Sequence, residues 1–181
     1  QEAELNYKKI FGIEPVWRGQ HKELGTANSI FNFNNTYLEL LAAKGKGLGA
    51  SLVENAIEEK GDGLIGIVLG TNDINNASKR LTKMGYSVAE ISEGKGTDNN
   101  SKLTRNWKNL FLPPELTRGI FSFIIEHTHG HLPTIKEFPE DTINKLDHVV
   151  INTNDADGFI NIYKDVFDIR LALDRVIEHW K

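Results

Sequence analysis

Two pairs of similar segments recur along the chain, and they constrain its fold more than any other feature. YKKIFGIEPVW, which begins at Tyr7, is similar to YKDVFDIRLAL, which begins at Tyr163. LIGIVLGTND, which begins at Leu64, is similar to LDHVVINTND, which begins at Leu146. Because the two matches occur in a consistent order, they indicate repeated supersecondary units. The unit in the middle of the chain is predicted to contain a strand, a helix and three further strands.

The repeat predicts three parts. Residues 1–132 are predicted to form a domain of two units, of which the first lacks its opening strand. Residues 133–144 contain two prolines and are predicted to be a linker. Residues 145–181 are predicted to begin a further, incomplete unit, whose first strand is KLDHVVINT. Because the chain begins at Gln1, we expect it to be part of a longer protein.

Local patterns place several elements inside the first part. TYLELLA, YSVAEIS and LTRNWKNLFL have the apolar and aromatic character of short strands. GKGTDNN, which follows YSVAEIS, is predicted to be a polar loop. Ser51 and Glu54 have the spacing of a capping box, so a helix is predicted to begin there.

Composition excludes several classes of protein. The chain has 181 residues, of which 39% are hydrophobic and 25% charged, as in an ordinary globular protein. The net charge of −4 does not indicate a nucleic-acid-binding surface. No apolar run approaches the ~20 residues that a membrane span needs. The absence of cysteine excludes disulfides, thiolate zinc sites and cysteine nucleophiles. We therefore expect a cytoplasmic protein without nucleic-acid or membrane partners.

Three segments carry a resemblance to a known family. RGQHKELGTANSIFNFNNTYLELLA, which begins at Arg18, is followed by LTRNWKNLFLPPE and GIFSFIIEHT. Together they resemble glyoxalase-like domain proteins of the vicinal oxygen chelate superfamily, which includes glyoxalases, bleomycin-resistance proteins and extradiol dioxygenases. The resemblance covers roughly Leu5–Leu132, and again Leu146 to the end. It implies an α+β fold of tandem βαβββ units, with curved mixed β-sheets around a cleft and helices packed outside.

The resemblance leaves two functions open. Enzymes of the superfamily usually hold one divalent metal ion in the cleft, where the metal polarises adjacent oxygens of a substrate. Such a protein would be a lyase, isomerase or dioxygenase acting on a small oxygenated metabolite. Other members bind and sequester a small molecule without a metal, so the fold does not decide whether this protein is an enzyme. Units exchange between chains in this superfamily, which makes a homodimer the expected assembly.

Glu39 is the main candidate for a catalytic or metal-binding residue. It lies in TYLELLA and, on an alternating strand, shares a face with Tyr37 and Leu41. A carboxylate on that face costs free energy unless it meets a metal, a hydrogen-bond donor or water. The resemblance implies a metal ligand at this position of the last strand. The other interpretation is a Glu paired with a buried Arg or a backbone donor.

His148 is the second candidate metal ligand, because the resemblance implies a ligand in the first strand of a unit. The other interpretation is a histidine that is hydrogen-bonded inside the sheet. Gly66 aligns with His148 in the second unit and has no side chain to bind a metal. The strand that would supply the matching residue in the first unit is absent from the sequence. A complete two-unit metal centre is therefore not evident in this chain.

Four further residues are candidate ligand-binding groups. His21 either lines the cleft of Glu39 or lies in an exposed loop, and Asn28 either orients a ligand or holds a loop. Arg105 and Trp107 share one face of a strand, because side chains alternate with a period of two. They form either an apolar wall with a cationic anchor for an anion, or a core Trp beside a solvated Arg.

EHTHGHLP places three histidines at alternate positions, beginning at His127. Three imidazoles on one face of a strand can bind zinc or another borderline ion. Same-face side chains lie about 7 Å apart along a strand, which is long for chelating one ion. The segment is therefore predicted to be a solvated end of a strand, with a metal site as the alternative.

Overall fold

The first sheet is an antiparallel meander behind an N-terminal helix. A computed structural model describes residues 2–176. Helix α1 (Glu2–Phe11) is followed by Gly12, whose φ of 71° is the left-handed conformation that glycine adopts without strain after a helix. Strands β1, β2 and β3 follow and pair in that order; their bounds are Trp17–His21, Thr26–Asn32 and Tyr37–Ala43.

The second sheet has four strands in the order β4-β7-β6-β5. Strands β4 and β7 are parallel, and the other pairs are antiparallel. In chain order the elements are α2 (Leu48–Lys60), β4 (Gly66–Gly70), α3 (Ile74–Lys83), β5 (Ser92–Thr97), β6 (Thr104–Phe111), α4 (Pro114–Thr117) and β7 (Phe121–His129). A short helix α5 (Ala156–Ile160) then continues as π-helix over Asn161–Val166. The predicted α+β fold with curved mixed sheets is confirmed.

Each sheet packs its convex face on helices and other segments. The first core consists of four apolar side chains and is covered by Ile135 and Phe138, from the predicted linker; its members are Phe11, Ile13, Phe31 and Phe33. The backbone of this linker region is also tied to α1, since the amide of Ile143 donates to the carbonyl of Phe11 at 2.9 Å. The second core joins α3 and the π-helix to the convex face of β6 and β7; it includes Ile74, Leu81, Leu110, Ile124, Ile162 and Tyr163.

The two sheets meet along β1 and β5. A single bridge pairs Gly19 with Asp98, and the Asp98 carboxylate accepts a hydrogen bond from the backbone amide of Arg18 at 2.8 Å. Asp98 also accepts from the amides of the turn that follows it, at Asn100 and Ser101. These hydrogen bonds lower the pKa of Asp98 against the opposing effect of burial. The contact brings the concave faces of both sheets around one cleft.

Three local predictions are wrong. The predicted strand YSVAEIS has almost no strand structure, whereas β5 runs through the glycine-rich segment that was predicted to be a loop. Helix α2 begins at Leu48, after Gly47, so the capping box at Ser51 does not mark its start. KLDHVVINT has no strand either, and its side chains are mostly exposed. Among residues 2–176, no helix is long and apolar enough to cross a membrane.

Candidate functional site

The concave faces of the two sheets bring together most of the candidate residues. Strand register places side chains of β1, β2 and β3 on one wall and side chains of β6 and β7 on the other. The group, called here the concave cleft, consists of Trp17, His21, Asn28, Tyr37, Glu39, Arg105, Trp107 and His127. The walls are in contact, since the His21 and Trp107 rings meet edge to face with centroids 5.7 Å apart.

Glu39 is oriented by a chain of hydrogen bonds. It pairs with Ile30 across the sheet, and the regular alternation of β3 puts it on the same face as Tyr37, as predicted. Its Oε1 accepts a hydrogen bond of 2.7 Å from Nδ2 of Asn28, which is nearly buried. The Oδ1 of Asn28 in turn accepts from the backbone amide of Gly19 at 3.1 Å. The carboxylate itself is exposed to the cleft, so a ligand can reach it.

His21 lies in the cleft as an uncharged group. Its Nδ1 is 3.0 Å from Oγ1 of Thr26, the residue that faces it across the hairpin. Burial lowers the pKa of His21, and the positive charge of Arg105 lowers this pKa further, while Glu39 has an opposing, smaller effect than burial. A neutral imidazole near a carboxylate can accept or relay a proton. The alternative of an exposed loop histidine is wrong.

Arg105 is a buried cation without a counter-ion in the described part of the chain. Only 5% of its surface is exposed. Its guanidinium carbon lies 5.3 Å from the ring centroid of Trp17 and 6.0 Å from that of Trp107. Its Nη2 donates to Nδ1 of His127 at 3.3 Å, whereas its Nε has no partner among residues 2–176. The alternative of a solvated arginine is therefore wrong.

Burial shifts the pKa values of three ionisable side chains in the concave cleft towards their uncharged forms. Burial lowers the pKa of Arg105, and the nearby Tyr37 and Glu39 oppose that shift. Burial also raises the pKa of the Tyr37 hydroxyl, and the negative charge of Glu39 adds to the increase. Partial burial lowers the pKa of His127, and repulsion by Arg105 lowers it further. The imidazole and phenol groups are therefore neutral at pH 7.

Trp107 lies over strand β5, where glycines leave room for its ring. A Cβ at Gly94 would overlap the indole, and a Cβ at Gly96 would lie 3.1 Å from Cη2 of Trp107 and 3.5 Å from Cζ2 of Trp17. Both glycines face the cleft, since Gly94 pairs with Trp107 and Gly96 with Arg105. A tryptophan wall on β6 therefore requires glycines at these two positions of β5.

The structure does not bring His148 to Glu39. His148 lies in the segment that lacks a strand, is exposed, and has Nδ1 2.7 Å from Oδ2 of Asp147. At the aligned position Gly66, a Cβ would overlap the backbone of Phe121, so a ligating side chain does not fit there. His129 and His131 are exposed, and His127 alone of the three histidines contacts the other cleft residues.

The residues present do not by themselves fit a metal ion. Among residues 2–176, no group of three or more His, Asp or Glu side chains is placed to hold one. Glu39 already accepts from Asn28, and the buried cation Arg105 lies in the same cleft. A positive charge beside a ligand set opposes the binding of a divalent cation.

Sequence reasoning missed the role of three side chains in the cleft. Trp17 is under the Arg105 guanidinium, Tyr37 lies two residues before Glu39 on the same face, and His127 is opposite Trp107 in the β6–β7 pairing. The alternation of side chains along β3 was enough to indicate that Tyr37 shares the face of Glu39. The contacts of the other two depend on how the sheets meet, which no local pattern shows.

Residues 1–167 match the family model described as "Glyoxalase-like domain". The chain belongs to the glyoxalase-like domain family. The predicted resemblance to the vicinal oxygen chelate superfamily is thereby confirmed. No curated protein matches the sequence of this glyoxalase-like domain at a significant level.

Solved structures share the fold of this glyoxalase-like domain at low sequence identity. A hypothetical protein from Staphylococcus aureus is 20% identical, with a TM-score of 0.51 over 62% of this chain and 49% of that one. The chain thus spans about half the length of that protein. A variant methylmalonyl-CoA epimerase from Streptomyces coelicolor, in complex with 2-nitronate-propionyl-CoA, is 18% identical, with a TM-score of 0.55 over 73% and 89% of the two chains. The methylmalonyl-CoA epimerase from Mycobacterium tuberculosis is 14% identical, with a TM-score of 0.54 over 71% and 80%.

Proposed function

We propose that the concave cleft binds a small, oxygen-rich anion such as a carboxylate. The observation that carries this proposal is the buried guanidinium of Arg105, whose Nε has no partner in the described chain. Taking a cation out of water costs several kcal/mol unless an anion or several hydrogen bonds compensate. Arg presents a planar set of donors that matches a carboxylate in a bidentate arrangement. A bound anion would supply the missing charge and acceptors.

The surroundings of Arg105 suit a flat, oxygenated molecule. Trp17 and Trp107 provide rigid aromatic walls, and aromatic walls with a few fixed polar groups are typical of small-molecule sites. His21 and His127 can donate or accept hydrogen bonds as neutral imidazoles. Glu39, fixed by Asn28, is available to accept a hydrogen bond from a ligand hydroxyl, or to accept a proton from the ligand. We therefore assign ligand-binding roles to His21 and Trp107 alongside Arg105.

The test compares anion binding by the protein and an isosteric variant. Titrations with acetate, pyruvate, malonate and the neutral acetamide, followed by tryptophan fluorescence and calorimetry, should show binding of the anions only. Arg105→Met should abolish this binding. Arg80→Met, which removes the same charge from the exposed face of α3, is the matched control and should bind as the wild type does. Equal binding by both variants, or preference for the amide, would refute the proposal.

A metal-dependent lyase or isomerase centred on Glu39 is the second candidate. Two observations favour it: the Glu39 carboxylate is open to the cleft, and the outer edge of β3 has no paired strand among residues 2–176. Its other ligands would have to come from outside the described residues, because His148, the candidate from the sequence, is exposed and is not brought to Glu39. The test is the metal content of protein purified without a metal-binding tag. About one divalent ion per chain that is lost in Glu39→Ala and kept in His148→Ala would support Glu39, and not His148, as a metal ligand.

A cytoplasmic location and a homodimer are also proposals. Sedimentation at several concentrations tests the dimer, and fractionation of cells tests the location.

A further inference from the structure

The concave cleft continues along β6 and β7 into an aromatic surface. Alternation along β6 puts Phe111 on the same face as Arg105 and Trp107. Register then places Phe123 opposite Phe111, and Phe121 two residues further along the same face of β7. We call these three phenylalanines the aromatic patch. Their ring centroids are 5.3 to 6.3 Å apart, so they form one cluster.

The aromatic patch is incompletely covered in the described chain. Phe111 is 39% exposed, Phe121 is 42% exposed, and the neighbouring Val68 of β4 is 39% exposed. Large aromatic side chains that are exposed together, next to a site with convergent polar groups, mark a ligand or interaction surface. The opposite, convex face of β7 is by contrast well packed against helices, with Ile124 buried in the second core.

Asn109 and Ile125 connect the aromatic patch with the cationic end of the cleft. These two residues pair with each other between the Trp107 row and the Phe111 row. The Oδ1 of Asn109 is buried and has no partner among residues 2–176. Trp107 and Phe111 are four positions apart in β6, which is about 13 Å along a strand. One face of β6 thus carries four different groups in succession: the cation of Arg105, the indole of Trp107, the acceptor of Asn109 that is unpaired in the described chain, and the apolar ring of Phe111.

We infer that the ligand is an amphipathic carboxylate, with its anionic head at Arg105 and an acyl or aryl tail along β6 on the aromatic patch. The inference rests on the proposed function and adds the substrate class. The tail is the occupant that accounts for an apolar surface continuing from a buried cation on the same two strands. A second copy of the chain would cover the apolar end but would leave the guanidinium without an anion.

The experiment is a chain-length series of straight-chain carboxylates from acetate to decanoate, titrated below their aggregation concentrations. Burial of one methylene corresponds to about a fourfold gain in affinity. We expect Kd to fall about three- to fourfold per methylene in the wild type, until the tail spans the patch. Phe121→Ser should weaken the long acids and leave acetate unchanged. Leu48→Ser, which changes an exposed apolar residue of α2, is the matched control and should leave the whole series unchanged.

The outcomes separate this inference from the proposed function. Acetate binding without chain-length dependence would overturn the inference and leave the anion site intact. The same chain-length dependence in Phe121→Ser and in the wild type would also overturn it. Failure of every acid to bind the wild type would overturn the proposed function as well. Self-association of the wild type that is lost in Phe121→Ser would identify the patch as an interface between copies, and would overturn the inference too.

Discussion

Replacement of Arg105 by methionine should separate stability from ligand binding. Arg105 is 5% exposed and forms no ion pair in the described chain. Replacing a buried ion pair by apolar side chains of similar size is often neutral or stabilising by about 1–4 kcal/mol, and a buried charge without a counter-ion lacks even the attraction of a partner. The variant loses the stacking on Trp17, which is about 1 kcal/mol for a cation–π contact. We therefore expect a net stabilisation of about 0–3 kcal/mol.

Urea denaturation measures this change as a shift in the midpoint at constant m-value. By heat, each kcal/mol corresponds to about 2–4 °C for a domain of 150–250 residues. An anion at one hundred times its Kd should stabilise the wild type by about 2.7 kcal/mol and leave the variant unaffected. A variant less stable than the wild type by more than about 1 kcal/mol would refute the reasoning, because Arg105 would then be a structural residue.

Three further predictions test other features. Gly94→Ala should displace the Trp107 ring, destabilise the protein by about 1–3 kcal/mol in denaturant titrations and abolish the fluorescence response to anions. Its control is Gly70→Ala, in open space on β4, which should change stability by less than about 1 kcal/mol. Because the pKa of His21 is lowered in the folded protein, its contribution to stability is present above the unfolded pKa of about 6.5 and decreases as pH falls; His21→Asn should flatten the loss of stability between pH 7 and 5. Asp73→Ala should cost about 1 kcal/mol of thermal stability, since its carboxylate accepts a backbone amide in the first turn of α3.

The sequence was sufficient to predict the fold family and the faces of the main candidate residues. Period-two alternation correctly put Glu39 with Tyr37, and Arg105 with Trp107. These are local properties of single strands. The same reasoning left open whether Arg105 is buried, because burial of this side chain depends on the approach of Trp17 from the other sheet.

The errors have physical causes. Strand β5 was missed because Gly94 and Gly96 have low β-propensity, while the indole of Trp107 requires glycine at those positions. Tertiary packing overrides propensity here. KLDHVVINT was predicted to be a strand because its apolar pattern matches β4. In the structure this segment pairs with no strand of the described chain. It runs past Asn35, whose side-chain amide forms hydrogen bonds with the backbone N–H and C=O of Leu146.

Ile135 and Phe138, which pack against the first core, are synthesised long after the core residues that they cover. Asn35 and Leu146, which close the same region, are 111 residues apart in the chain. A ribosome that adds about 5–20 residues per second needs roughly 5–20 s for that interval. Throughout it, the cluster of Phe11, Phe31 and Phe33 lacks Ile135 and Phe138 on the nascent chain, while Tyr7, Leu38 and Leu40 are already present. The emerging polypeptide is therefore expected to be a substrate for chaperones until residue 146 has left the exit tunnel.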